Sequence, residues 1–268
     1  GLDLAGVVDE VGSAIKRWKV GDAVCALTSG GGYAEFCSVA VPQVLPMPAG
    51  WSFAEAATLP QNLFTAYDNV ITRARLHAGE TILIHGGTSG VGYLAIMLSR
   101  AWKARPIATA GTTKKCQACV DFGASDAINY KEADFVAECK RLTDDVGVNV
   151  VLDMVGGAYL ERNMDALATE GRLSIIATQR GSTAPMDIAK LMHKRITVFG
   201  SMLRGRTINE KGAIAQALLR DVWPLLPKRD VIWPVIDSEY PLEQANLAHA
   251  RMETGEHVGK IVLLVAEN

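Results

Sequence analysis

From about residue 81 to residue 200 the chain alternates short apolar, β-branched runs with longer stretches in which apolar residues recur every three or four positions. Continuous apolar runs of that length read as strands buried on both faces, and the longer period reads as amphipathic helix. The strands fall at 81–85, 105–110, 126–130, 148–154, 171–177 and 196–200, and the helices near 91–102, 113–122, 132–142, 157–168 and 187–194. Six strands joined by helical crossovers predict an α/β fold with a doubly wound parallel sheet.

The flanks differ in texture. Strand-like runs at 5–11, 23–27 and 33–39 are punctuated by Gly12, Gly21 and Gly30-Gly31-Gly32, and Pro42, Pro46 and Pro48 then break regular structure. This region reads as β-barrel-like. Helices are expected at 53–59 and 64–74, before the alternating region, and at 208–222 after it. A proline-marked stretch through Pro224, Pro227 and Pro234 leads to a helix at 241–254 that stops at Gly255, then a strand at 258–265. That last strand lacks a helical crossover of its own and is expected to pair with the N-terminal β region.

Length and composition narrow the classes. A chain of 268 residues with 49% apolar residues has room for two modest domains. A net charge of −2 with no basic block gives no electrostatic footprint for nucleic acid or an anionic membrane. No apolar run approaches the roughly 20 residues of a membrane span, and no basic segment precedes an apolar signal core. Five cysteines, an odd number in a chain this long, point to reduced thiols and a cytoplasmic home. The chain opens on Gly1 and Leu2 already in strand-like sequence, which reads as the remainder of something longer.

The most specific chemistry sits at the first junction of the alternating region. Ile82, Leu83 and Ile84 are followed by His85-Gly86-Gly87-Thr88-Ser89-Gly90-Val91-Gly92 and then by helical periodicity. Strand, glycine turn and helix is the setting in which backbone N–H groups and the positive helix end receive a pyrophosphate. Gly87 suits the tight turn and Gly92 the close packing of helix on strand. The middle glycine of the usual spacing is Ser89, with Gly90 beside it to allow close backbone approach.

About twenty residues further on, the end of the second strand decides the cofactor. An NAD-binding site places Asp or Glu there for the ribose 2′-hydroxyl. Here the sequence is Gly111-Thr112-Thr113-Lys114-Lys115, two hydroxyls and two ammonium groups at a helix start. A carboxylate would repel a 2′-phosphate and this cluster attracts one, so the expected cofactor is NADP(H).

Taken together, several segments resemble the medium-chain dehydrogenase/reductase superfamily, in particular its zinc-independent, zeta-crystallin-like NADPH:quinone oxidoreductases. They include Val20-Gly21-Asp22-Ala23-Val24, Gly32-Tyr33-Ala34-Glu35-Phe36, Ala56-Ala57-Thr58-Leu59-Pro60 with Thr65 and Tyr67, and the glycine turn. Later come Ala108-Thr109-Ala110-Gly111, Val198-Phe199-Gly200-Ser201 and His257-Val258-Gly259-Lys260. The match runs essentially end to end. The resemblance implies a Rossmann dinucleotide-binding domain over 61–229. It also implies a split GroES-like substrate domain over 1–60 and 230–268, incomplete at its N-terminus by roughly sixty residues for a two-domain enzyme, with the active site between the domains. Carried onto this chain, Ser89, Gly90, Val91 and Gly92 would hold the pyrophosphate, Gly111 and Lys115 the adenosine phosphate, and Tyr130 the adenine and ribose side. Backbone around Ala177 and at Ser201, Leu203 and Arg204 would flank the nicotinamide, with Thr65 and Tyr67 bordering the same end. The family's usual homodimer would form through the edge strand 196–200.

The implied reaction is NADPH-dependent hydride transfer to a quinone or similar conjugated carbonyl, with no nucleic-acid or membrane partner. Reduction of an enal or enone double bond is an alternative of the same class, and an NADPH-binding structural or regulatory role with little turnover is one of another class. Leu2 stands where zinc dehydrogenases carry a ligating His, and Cys25, Cys37, Cys116, Cys119 and Cys139 lack zinc-lobe spacing, so no metal is expected. No catalytic residue is identified. Cys116 and Cys119 read as a structural pair, His85 as a local hydrogen-bonding group, Tyr67 as a wall, and Asp153 equally as a ribose contact or a structural cap.

Overall fold

Val148, Val150, Val151 and Leu152 are fully buried, and the strand they form lies inside a six-stranded parallel sheet. The structure is a computed structural model and describes residues 1–265. In chain order the strands are β1 (Asp3–Val7), β2 (Ala23–Leu27), β3 (Val44–Pro46), β4 (Thr81–Ile84), β5 (Arg105–Ala110) and β6 (Asp126–Asn129). There follow β7 (Val148–Asp153), β8 (Leu167–Ile175), β9 (Thr197–Gly200), β10 (Ile236–Pro241) and β11 (Lys260–Leu264). The α-helices are α1 (Phe53–Ala57), α2 (Pro60–Ala66), α3 (Gly90–Ala101), α4 (Thr113–Asp121), α5 (Phe135–Leu142), α6 (Leu160–Ala166), α7 (Ile188–Lys194), α8 (Ile208–Asp221) and α9 (Ala245–Glu253).

The chain divides into two compact units, one of residues 1–64 with the chain from Leu203 onward, the other of residues 65–202. The second unit carries the sheet, in the order β6-β5-β4-β7-β8-β9 with every pair parallel. Strand order reverses at β4, and in such sheets ligands gather at the C-terminal strand ends on either side of the reversal. The core under one face is built from Leu83, Ile107, Ile128, Phe135, Val151, Leu160, Met164 and Leu173. Arg172 on β8 locks the preceding turn to the sheet. It pairs with both Glu80 oxygens at 2.8 and 2.7 Å and donates to the Ala74 carbonyl at 2.9 Å.

The first unit is built on the antiparallel sheet β1-β2-β3, with Val24, Ala26 and Val44 as its core, and on a second sheet of β10 and β11. Helix α8 packs here, through Gly212 against Pro42, where an added Cβ would come within 2.7 Å of the proline ring. The resemblance implies a cofactor domain over 61–229, and the compact unit that contains the parallel sheet is Thr65–Met202.

Local structure departs from expectation in several places. The first strand runs Asp3–Val7 instead of 5–11, and Val44–Pro46 forms a strand among the prolines expected to break regular structure. Residues 33–39 form no strand, because positive φ at Gly30 and Gly31 bends the chain into an exposed loop. The helix expected over 64–74 changes at Tyr67 to a wider turn, in which the Ala74 N–H reaches back five residues to the Asn69 carbonyl. Strand β8 starts at Leu167, four residues early, with Glu170 at φ 63° and Gly171 shaping its entry. The final strand pairs in parallel with β10, not with the N-terminal sheet, and β10 itself lies just past the prolines that hid it. No helix among the described residues is long and apolar enough to cross a membrane.

Candidate functional site

The turn after β4 is shaped for close backbone approach. Gly86 adopts φ 64°, a conformation that L side chains rarely take. A Cβ on Gly87 would lie 2.6 Å from the Cys119 sulfur and 2.8 Å from the Ala108 Cβ, and one on Gly92 would collide with the Gly86 carbonyl oxygen. Ser89 is the N-cap of α3, its Oγ accepting from the Gly92 N–H at 3.0 Å. The N–H groups of Gly90 and Val91 have no acceptor among the described residues and stand at the positive end of a twelve-residue helix. Backbone donors of this kind, with no Cβ in the way, can receive an anionic oxygen.

The neighbouring strand ends complete it. Thr112 caps α4, accepting from the Lys115 N–H at 3.2 Å, and Gly111 lies against Tyr130, whose Oη is 2.7 Å from where a Gly111 Cβ would stand. Lys131 Cε comes within 3.5 Å of the same point. This third cation beside Gly111 escaped the sequence reading because it belongs to the loop after β6, and only the pairing of β5 with β6 brings it there.

On the other side of the reversal, the Ile176 N–H donates to the Asp153 carbonyl at 2.8 Å and the Ser201 N–H to Ile175 at 3.1 Å, which sets Ala177 and Ser201 at adjacent strand ends. The Thr65 carbonyl accepts from Asn69 Nδ2, and Asn69 Oδ1 accepts from Ser174 of β8 at 3.0 Å, which ties the end of α2 to this part of the sheet. Thus Thr65, Ser89, Gly90, Val91, Gly92, Gly111, Lys115, Tyr130, Ala177 and Ser201 all belong to the second unit, while Leu203 and Arg204 fall in the first.

Three titratable groups near the turn are structural. Asp153 is fully buried; burial lifts its carboxyl to about 6, although it accepts from the Val155 and Gly156 N–H groups at 2.7 and 3.1 Å. Those bonds hold Met154 so that its sulfur lies under Gly86 and accepts from Ser89 Oγ at 3.7 Å. Burial likewise pushes the Cys119 thiol up to about 12, and its sulfur fills the space beneath Gly87. His85 lies with its ring edge-on between Phe135 and Tyr159, Nδ1 3.0 Å from Thr109 Oγ1 and Nε2 2.8 Å from Asn163 Oδ1.

Burial lowers His85 to about 4. A folded-state value below the usual 6.5 means that the stability from neutral His85 is complete above that pH and is lost as pH falls toward 4. The advantage of the native protein over His85→Asn in urea unfolding is therefore expected to shrink between neutral pH and about pH 4.5. An unchanged gap would mean that the ring is charged or exposed.

Among the described residues, no group of three or more His, Cys, Asp or Glu could hold a metal ion. All five cysteines are free thiols.

A parallel sheet of this order, with a glycine turn capping a helix at the reversal, is the doubly wound arrangement of dinucleotide-binding Rossmann folds. Residues 90–219 match the zinc-binding dehydrogenase family model and residues 1–66 the alcohol dehydrogenase GroES-like domain. The quinone oxidoreductase of Rattus norvegicus is 33% identical over 99% of this chain and 79% of its own length. The crystal structure of Escherichia coli quinone oxidoreductase complexed with NADPH superposes with a TM-score of 0.83 at 28% identity, over 98% of this chain and 81% of that one. The CurK enoyl reductase gives 0.82 at 26% identity, over 98% and 79%. The chain belongs to the medium-chain dehydrogenase/reductase superfamily, in its zeta-crystallin-like quinone oxidoreductase family.

Proposed function

We propose that this chain reduces a quinone or a similar conjugated carbonyl with NADPH, without a metal ion. The observation that carries the reading is the pair of adjacent strand ends. After β4 there are open N–H groups at a glycine-lined helix start, and after β5 there are cations where a ribose-binding acid would stand. In this reading Ser89, Gly90, Val91 and Gly92 hold the pyrophosphate, Gly111 and Lys115 the 2′-phosphate, and Tyr130 the adenosine wall. Thr65, Ala177 and Ser201 flank the nicotinamide, which supplies a hydride when bound. The protein's part is orientation and exclusion of water, which accounts for the absence of an acid–base pair at the turn: His85 is neutral and sealed away, and Asp153 is spent on backbone.

The likeness to an enoyl reductase supports a second reading, reduction of an enal or enone double bond. NADPH oxidation followed with a panel of quinones and enones, with and without chelator, separates the two. Turnover of quinones that survives chelation supports the proposal. Turnover of enones alone favours the second reading, and NADPH binding without turnover would point to a structural or regulatory protein.

A homodimer through β9 belongs to the same reading. That strand bonds only to β8 among the described residues, and Ile188 and Met192 are exposed on the helix before it. Sedimentation equilibrium should give twice the chain mass; a single-chain mass would sink the pairing. The reduced thiols fit a cytoplasmic setting.

A further inference from the structure

Two acidic side chains are buried among the described residues, Asp68 and Asp153, both in the second unit. Asp68 meets the Arg73 guanidinium at 2.8 Å. Asp153 is fully buried, and no cation pairs with it among the described residues. Burying an unpaired carboxylate is costly, and a neutral amide would fill the same space without that cost. Folding alone does not account for the charge.

Asp153 closes β7 beside the reversal of strand order, and its oxygens accept from the Val155 and Gly156 N–H groups at 2.7 and 3.1 Å. The segment folded in this way touches both sides of the reversal. On one side the Met154 sulfur lies under Gly86 and accepts from Ser89 Oγ, the cap of α3. On the other, the Met154 and Val155 carbonyls accept from the Gln179 and Arg180 N–H groups at 3.3 and 2.8 Å. Gly156, at φ 85°, lies so close to the same loop that a Cβ would stand 2.8 Å from the Thr178 Cα.

Behind the carboxyl, Asn163 Oδ1 faces His85 Nε2 at 2.8 Å. An amide oxygen only accepts, so Nε2 carries the proton and Nδ1 accepts from the Thr109 hydroxyl. The Asn163 amide nitrogen has no acceptor at bonding distance among the described residues, yet it favours the charged form of Asp153. Each hydrogen-bonding group that bears on the Asp153 oxygens is therefore a donor. Tyr159 is the titratable side chain that faces them, and Arg162 acts on His85 and Tyr159. A protonated Asp153 would present its O–H to donors alone, so one N–H would have to withdraw and the segment would shift.

We infer that Asp153 is a positioning residue for the dinucleotide. Its ionised carboxylate sets the pyrophosphate turn through Met154 and the nicotinamide side through the loop 178–181, so the cofactor binds best when that carboxyl is charged. This rests on the proposed cofactor site. The carboxylate also repels a bound phosphate, but its oxygens face N–H groups of its own segment, whereas misplaced donors lose charge-assisted bonds outright.

The test is a fluorescence titration of the whole chain with NADPH and with NADH. At pH 7.5 Asp153→Asn should bind both at least tenfold more weakly than native protein. Asp126→Asn, at the start of β6 and paired with Arg105, should bind normally. Burial lifts the Asp153 carboxyl to about 6, so it takes up its proton between pH 7.5 and 5.5. Over that range native affinity for NADH, which has no 2′-phosphate titrating at about pH 6, should fall at least threefold, and Asp153→Asn should lack the fall. A carboxyl that only supports folding gives no such step. The native profile needs no variant, so it decides the case if Asp153→Asn does not fold. Equal or tighter binding by folded Asp153→Asn, or a flat native NADH profile, would overturn the inference and leave the cofactor site standing. Native protein that binds neither nucleotide at any pH would overturn the cofactor reading and this inference with it.

Discussion

Replacing Gly92 with alanine is expected to weaken NADPH binding by about a hundredfold, equivalent to about 2.7 kcal/mol. The added methyl would meet the Gly86 carbonyl oxygen and come within 2.9 Å of the Gly87 Cα. Both obstacles are backbone, so no rotamer change relieves them. Either the start of α3 lifts from the sheet or the turn itself shifts, and the Gly90 and Val91 N–H groups move with it. Overpacking alone costs about 1–3 kcal/mol, and misplacing donors aimed at a pyrophosphate adds to that. Gly6→Ala, whose Cβ would find nothing within 4 Å, is the control and should bind NADPH normally. A fluorescence titration with NADPH, beside urea unfolding, separates lost binding from lost folding. Normal affinity in a folded Gly92→Ala protein would mean that the pyrophosphate does not sit on this turn.

Why that turn could be read from sequence, and strand β10 could not, is a matter of range. The turn is local: one strand, one cap and one helix start, contiguous from Thr81 to Ala101, each with its own residue preferences. The parallel sheet was legible for the same reason, since strands buried on both faces are written as apolar runs. Asp153 could be narrowed only once its partners were seen, because a strand-end carboxylate serves a ribose and a backbone cap equally well on paper. Its two short bonds to Val155 and Gly156 place both oxygens on backbone N–H groups.

The missed features depend on distant pairing or on an unusual backbone. Strand β10 has Ile236 and Tyr240 but also Asp237, Ser238 and Glu239, and it becomes a strand only through β11. The stretch 33–39 carries Tyr33, Phe36 and Val39, good strand residues, yet Phe36 is 73% exposed and no strand pairs with this stretch among the described residues. Lys211 follows an acid in an amphipathic helix, where a lysine ordinarily faces water. Lys211 is nonetheless buried, next to Gly212, which packs on Pro42.

Cofactor choice is the other large expected effect. NADPH should bind at least tenfold more tightly than NADH, about 1.4 kcal/mol, and Lys115→Ala should remove most of that gap. Gly111 brings the chain against Tyr130, the Thr112 cap opens α4 at the same point, and Lys131 approaches from the loop after β6. A ribose 2′-phosphate placed there meets a helix start and ammonium groups, and one charge-assisted contact is worth about 1.5–3 kcal/mol. NADH lacks the phosphate, so Lys115→Ala should leave its affinity nearly unchanged, which distinguishes lost charge from a distorted site. Lys131→Ala should act in the same direction with a smaller effect, since its side chain is exposed and its charge is screened. The preference should also fall with added salt in the native protein and hardly at all in the double variant. Calorimetry that finds equal affinity for the two cofactors in the native chain would assign Lys115 and Lys131 to solvent and reopen the choice between NADPH and NADH.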